Sequence, residues 1–507
     1  MRPEQKVVLN TFILYARVLL TAGITLYTTR LVLEVLGVED YGIYSLVAGV
    51  VSMLAFLNAA MSASTQRYLS FYQGQEAREK QCSVFSNSLF LHLMIGLFAL
   101  VLFQIAGLFL FNGFLNIDPG RMYAARVTYQ FVIVSVCCTI VSVPFSASLN
   151  AHENMLSIAL ISIVQVLLRL WVACILLRMG DVDKLIFYAA FTALADLLSL
   201  VLYIAVSCSR YPECTLRIKK HLNLAELKEL SAFAGWNLFG SVCGISRSQG
   251  LALVLNLFFG TVVNTAYAVG NQLGGYLSFF SSSMLQSMNP QIMKSEGAGA
   301  RHRMLKLSMT ASKTSFFLLA FLAIPCIFEM EALLRLWLKE VPPYTVSFCV
   351  LILIGGLANS LTVGLQSAIQ ATSRIKAYQS VVGSIQLLNL PIAYCLLRQG
   401  FSPQIVPISF VGIELLACVA RMYFLKTRAG MSVWEYLHRV IFREILPVVL
   451  TVCTCCAITR YCVVDYRIAL TFAASAVVFL SAAYYLGLCD DEKNLLDKLL
   501  NVKVRRK

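Results

Sequence analysis

The charged residues embedded in long apolar stretches are where this sequence could do chemistry. Arg17, Arg30, Arg67, Arg126, Arg169, Arg247 and Arg421 are the basic members, and Asp196 and Glu414 the acidic ones. A charge at mid-membrane costs roughly 2.5–3.5 kcal/mol on insertion scales, so each needs a partner or a water-filled cavity. Basic groups outnumber acidic ones, which would make such a cavity attractive to anions. The 16 cysteines are scattered through the apolar runs and read as small core-filling residues rather than a metal site.

Spacing sorts the charged residues. Arg30 and Glu34 stand four positions apart, share a helix face and can pair locally near the outer boundary. Arg169 and Asp196 fall at similar depths on consecutive antiparallel spans; a structural salt bridge and a functional pair are both open. Arg67, Arg126 and Arg421 lie near span ends, where long side chains can snorkel. Arg17 and Arg247 lie deep with no acidic residue nearby on the chain, so they are expected to face a cavity. Asn271, Gln272 and Gln286 belong to a helix rich in amide and hydroxyl side chains, "NTAYAVGNQLGGYLSFFSSSMLQSMNPQ". Such residues either hydrogen-bond between helices or line a polar wall able to hold sugars.

The elements that must position these groups follow from composition. Of 507 residues 59% are hydrophobic and only 13% charged, where a soluble domain carries about a quarter. Apolar runs of about 20 residues recur from end to end, each able to cross a ~30 Å hydrocarbon core. The expectation is an all-α polytopic membrane protein with about 14 spans. "MRPEQKVVLNTF" leads into a span too long for a signal peptide, so the first helix reads as an uncleaved start-transfer segment. Loops of one parity hold most of the Lys and Arg, including Arg78, Lys219, Lys220, Arg301, Arg303, Arg374 and Arg428. The positive-inside rule then predicts both termini in the cytoplasm, and it explains the net charge of +15 without nucleic acid.

A weak repeat recurs at an offset of about 223 residues. It lays "LGVEDYGIYSLVAGV" over "FGTVVNTAYAVGNQL", superposing Gly37 on Gly260 and Tyr44 on Tyr267. Six spans per repeat predict two lobes related by a pseudo-two-fold axis along the membrane normal. The expected organisation is an N-lobe over 1–208, a cytoplasmic linker over 209–230, a C-lobe over 231–430, and two extra helices with a basic tail over 431–507.

Arg30, Leu33, Leu36, Gly37, Tyr41, Gly42 and Tyr44 form an R-x-x-L-x-x-L-G-x-x-x-[FY]-G-x-[FY] pattern, and "AAMSASTQRYLSFYQG" follows in the second span. These stretches, with six plus six helices and two extra C-terminal ones, resemble the polysaccharide-exporting branch of the MOP superfamily, in particular Wzx-type O-antigen and capsule flippases. The resemblance implies a MATE-like fold in the bacterial inner membrane that moves an undecaprenyl-diphosphate-linked oligosaccharide from the cytoplasmic to the periplasmic leaflet by alternating access. It places Arg30 at the family's first-span position; Arg17 and Arg247 are candidates by depth. It implies no cofactor, with H⁺ or Na⁺ coupling through Asp196 or Glu414 open, and as partners membrane lipids and glycan-assembly proteins such as a polymerase. Two rivals stand beside it. A multidrug or organic-cation antiporter of the same fold would need acidic groups to dominate the cavity. A polyprenyl-phosphate glycosyltransferase would use an acidic pair such as Glu39–Asp40, but no loop is long enough to fold as a catalytic domain.

Overall fold

The computed structural model describes the chain except residues 1–2, 53–54, 112–116, 181–182, 217, 339–340, 463–465 and 494–507. The described residues form helices and no strand. By contacts the chain divides into two units, Val8–Leu238 and Phe239–Lys507 with Met1–Val7.

In the first unit α1 (Pro3–Ser52), α2 (Ala55–Gly74), α3 (Arg78–Phe109), α4 (Met122–Ala151), α5 (Met155–Leu176) and α6 (Lys184–Arg210) precede the short α7 (Ile218–His221). Helix α4 is the hub, packing on α2, α3 and α6. Its buried face is small at both ends, with Ala124, Ala125 and Thr128 at one and Ala147, Ser148 and Ala151 at the other, which lets neighbouring backbones approach closely there where no hydrophobic effect drives association. By contrast α3 turns Leu97, Phe98, Ile105, Leu108 and Phe109 outward. Outward-facing apolar side chains of this density suit hydrocarbon as the surrounding medium.

Helix α8 (Leu224–Gly297) carries the chain into the second unit, followed by α9 (Arg301–Phe328), the short α10 (Met330–Trp337), α11 (Thr345–Ser360), α12 (Val363–Ala371), α13 (Lys376–Arg398) and α14 (Ile405–Ala429). The short α15 (Val433–Tyr436) then leads to α16 (Phe442–Tyr461) and α17 (Arg467–Ala482). Here α9 is the buried hub, packing on α11, α12, α16 and α17.

Both long helices break at a glycine. In α1 Gly37 adopts φ 75°, ψ 173°, and in α8 Gly260 adopts φ 75°, ψ −164°. This region is essentially closed to residues with a Cβ. The two glycines are the ones the 223-residue offset superposes. A third break falls between α11 and α12, which meet at 40°.

Among the described residues 11 helices are long and apolar enough to cross a membrane, or 12 with the bent pair α11–α12 taken as one span. The sequence predicts about 14. Two things separate the numbers. Helix α8, with 74 residues, is about 110 Å long at 1.5 Å per residue, yet it counts once despite its break. Part of the expected second span, at 53–54, lies outside the described residues.

Candidate functional site

In the first unit the deepest charge cluster joins α5, α6 and the segment of α1 beyond Gly37. Asp196, 5% exposed, accepts hydrogen bonds from Arg169 Nη2 at 2.7 Å and Gln165 Nε2 at 2.8 Å. Tyr44 and Tyr188 meet edge to face at 4.9 Å beside this pair. A carboxylate sharing two donors neutralises Arg169 where it stands. Arg17 differs: it is half-buried on α1 with the Tyr203 phenol of α6 as its titratable neighbour, and no carboxylate among the described residues pairs with it. Helix α1 thus presents an uncompensated guanidinium.

The second unit builds its cluster on α8 and α14. Arg247 Nη1 lies 2.7 Å from Glu414 Oε1, with the two side chains 12% and 3% exposed. The guanidinium also sits 4.7 Å over the Phe410 ring, a cation–π contact that gains strength away from water. Arg421, one face along α14, places Nη2 3.9 Å from the other carboxylate oxygen. Its Nη1 donates to Asn359 Oδ1 at 2.8 Å, Thr362 Oγ1 at 3.1 Å and the Asn359 carbonyl at 3.3 Å. Asn359 and Thr362 flank the break between α11 and α12, so Arg421 satisfies backbone that the bend releases. Tyr267, which the 223-residue sequence offset lays over Tyr44, lies near Arg247 and beside Asn271. Each unit therefore holds an Arg–carboxylate pair against the tyrosine that the offset superposes. The charge balance differs: one to one around Asp196, two arginines to one carboxylate around Glu414.

Several sequence expectations need correction. Arg247 is not without an acidic partner: folding brings Glu414 to it from 167 positions away, a contact invisible to local spacing. Arg30 and Glu34 are both exposed and no ion pair joins them. Arg421 does not snorkel; it is buried. Nor does Arg67, which is 3% exposed within an aromatic cage of Tyr68, Phe71 and Phe233, with its guanidinium 4.3, 4.7 and 5.4 Å from the rings. Asn271 bonds the Tyr267 carbonyl at 3.0 Å and Gln272 the Tyr276 hydroxyl at 3.2 Å, both within α8; Gln286 is half-buried further along it.

Sequence reading missed the clamp at Arg121. Its guanidinium grips Asp40 at 2.8 and 2.5 Å and Asp183 at 2.9 and 3.2 Å, tying α1, α4 and α6 at one end. Burial works against this charge, but the bonds and charges of Asp183 and Asp40 outweigh it and raise the guanidinium above its ordinary value. Asp40, half of the acidic pair a glycosyltransferase would use, is thus ion-paired to Arg121. No set of three His, Cys, Asp or Glu side chains able to hold a metal occurs among the described residues.

These helices define the class: the chain has the fold of the MATE transporters. It superposes on an outward-facing multidrug resistance MATE transporter of the MOP superfamily with TM-score 0.72 and 13% identity, covering 85% of this chain and 96% of that one. A Vibrio cholerae MATE transporter gives 0.68 at 17% identity, with 84% and 97% covered. A Pyrococcus furiosus MOP-superfamily transporter, described as having a binding pocket of reverse polarity that suggests a different function, gives 0.70 at 12%, with 85% and 96% covered. Within that fold the chain belongs to the polysaccharide biosynthesis protein family, which matches residues 7–296. It is also similar to the uncharacterised membrane protein EpsK of Bacillus subtilis, 25% identical over 252 residues, and spans about half of that relative's length (49% of each chain).

Proposed function

We propose that this protein is a flippase for a lipid-linked oligosaccharide, carrying a diphosphate-bearing headgroup across the bacterial inner membrane towards the periplasm. The observation that carries the reading is the charge balance of the intramembrane clusters. No carboxylate among the described residues pairs with Arg17, and Arg247 and Arg421 share one carboxylate, so a negative headgroup is a fitting complement to these helices. Family membership supports a saccharide cargo, and the reverse-polarity relative supports a fold that tolerates a change of cargo charge. Arg17 would meet the diphosphate. Glu414 and Phe410 would hold Arg247 in one orientation, while the amides of Asn271, Gln272 and Gln286 offer donors and acceptors suited to sugar hydroxyls.

The organic-cation antiporter reading needs free intramembrane carboxylates. Asp196 and Glu414 are both engaged by arginine, so that reading would have to turn to another group such as Glu444 of α16, which is buried with neither carboxyl oxygen hydrogen-bonded among the described residues. With both termini cytoplasmic, outward movement of two negative charges gains about 4.6 kcal/mol per 100 mV, at about 2.3 per charge. The potential alone then suffices as a driving force, and coupling to H⁺ or Na⁺ is not required.

The test is reconstitution in proteoliposomes with a fluorescent polyprenyl-diphosphate oligosaccharide. Arg17→Ala should slow flipping at least tenfold at unchanged protein abundance, with Arg17→Lys intermediate. A full rate for Arg17→Ala removes that residue from the site. Uptake of organic cations in place of the glycolipid refutes the reading altogether.

A further inference from the structure

A second anion-seeking feature lies in the Phe239–Lys507 unit, away from the Arg247 cluster, where the first turn of α9, the α12–α13 turn and the last turn of α14 converge. A recess of about 590 Å³ opens there, lined by Arg301, Thr372, Ser373, Arg374, Thr427 and Arg428. Its lining holds three guanidiniums and three hydroxyls, with no carboxylate and no aliphatic side chain.

Electrostatics fixes the sign of what it could hold. Arg301 is engaged by Glu296, with Nε 3.2 Å from Oε2. Arg374 and Arg428 make no ion pair or side-chain hydrogen bond among the described residues. Three arginines against one glutamate leave two formal positive charges uncompensated. The helix ends nearly cancel: α9 opens towards the recess without a side-chain cap and contributes about half a positive charge, while α14 ends there with about half a negative one. The arginines therefore decide the field. Geometry adds a second observation. Ser373 occupies the left-handed region at φ 62°, which is uncommon for a residue with a side chain, and this turn carries Arg374 to the recess.

We infer that this recess binds a phosphoryl group, presented either by an anionic phospholipid headgroup or by a soluble phosphorylated solute. Guanidiniums match a tetrahedral oxyanion through paired N–H donors, and the Ser373 hydroxyl can add a further donor; those of Thr372 and Thr427 donate to the Ile369 and Tyr423 carbonyls and line the recess as polar surface. The inference does not depend on the transport reading, because none of these residues belongs to the clusters proposed to meet cargo.

The experiment compares the full chain with the double variant Arg374→Ala/Arg428→Ala, and with Arg335→Ala as a control for lost surface charge. Thermal unfolding is followed in detergent with inorganic phosphate or chloride at matched ionic strength, and in nanodiscs of phosphatidylcholine with or without phosphatidylglycerol. Neither variant arginine makes an ion pair or side-chain hydrogen bond among the described residues, so the double variant should unfold at the wild-type temperature without phosphate. If phosphate stabilises the wild type and the Arg335 control, and the double variant needs about tenfold more, a soluble phosphorylated ligand is the source. If only phosphatidylglycerol stabilises, with the same loss in the double variant, the headgroup is the source. If neither stabilises, or the double variant responds as the wild type does, the inference is overturned.

Discussion

Replacing Glu414 by Gln isolates two guanidiniums at once. Arg247 is 12% exposed and Arg421 3%, so water cannot take over the lost charge in place. Arg421 keeps its bonds to Asn359 and Thr362, whereas Arg247 keeps the face of Phe410. Attraction between unit charges about 4 Å apart at an effective dielectric of about 20 is near 4 kcal/mol. Breaking a buried pair by removing one partner costs about 3–5 kcal/mol for the same reason. Glu414→Gln should therefore lower the unfolding free energy in mixed micelles by about 3 kcal/mol or more. Arg247→Met should cost less, because Glu414 retains Arg421 at 3.9 Å. Removing both charges of the close pair together strands neither, so the double variant should recover about 2 kcal/mol relative to the sum of the singles. Additivity to within about 0.5 kcal/mol would show that the pair does not couple, and the electrostatic account of this cluster would fail.

Three further outcomes are expected. Gly37→Ala and Gly260→Ala should each destabilise by about 1–3 kcal/mol; nothing lies within 4 Å of the added Cβ at either site, so the cost is torsional. Gly275, equally open but helical, should accept Ala with no loss or a gain of about 0.5–1 kcal/mol, and equal effects at all three positions would refute the strain argument. Arg121→Ala removes the clamp on Asp40 and Asp183, whose partners are only partly buried, and after screening should cost about 1 kcal/mol, with faster amide exchange at the first turns of α4 and α6. Glu213, in the loop after α6, is bonded to His152, whose ring stacks on Tyr211 at 3.7 Å. Burial alone would raise the Glu213 carboxyl, but the bond and charge of His152 outweigh it and hold it below its ordinary 4.5. A lowered folded-state value stabilises above pH 4.5 and is lost as the pH falls through it. Acid unfolding should thus be less steep in Glu213→Gln, and an unchanged profile would count against this linkage.

What the sequence made legible follows from range. Hydrophobic run length and the parity of basic loops report the solvent and the element class directly, so the helical membrane architecture and the superfamily were open to reading. The breaks at Gly37 and Gly260 were foreshadowed by the repeat, because a backbone conformation closed to a Cβ leaves glycine as its trace. Pairing was harder. Arg169 and Asp196 could be matched because consecutive spans with short loops put equal depths side by side. Arg247 and Glu414 could not, since their neighbourhood depends on how α8 packs against α14. Arg67 and Arg421 misled for another reason: nearness to a span end suggests snorkelling, yet an aromatic cage or a bend with freed carbonyls offers a better site.

The arginine–carboxylate pairs make sense only together with the tyrosines beside them. Tyr44 and Tyr267 each lie seven residues beyond a helix-breaking glycine, about two turns into the helix that follows. The break sets the direction of that helix and so fixes where the phenol arrives. In the first unit the phenol meets a neutral Arg169–Asp196 pair; in the second it meets Arg247, whose carboxylate is shared with a second arginine. The same backbone device thus carries two different charge states, one balanced and one cationic. The two glycine breaks share one backbone conformation and a tyrosine seven residues on, so the break fixes where the phenol arrives while the charge beside it is set by the helices that pack there.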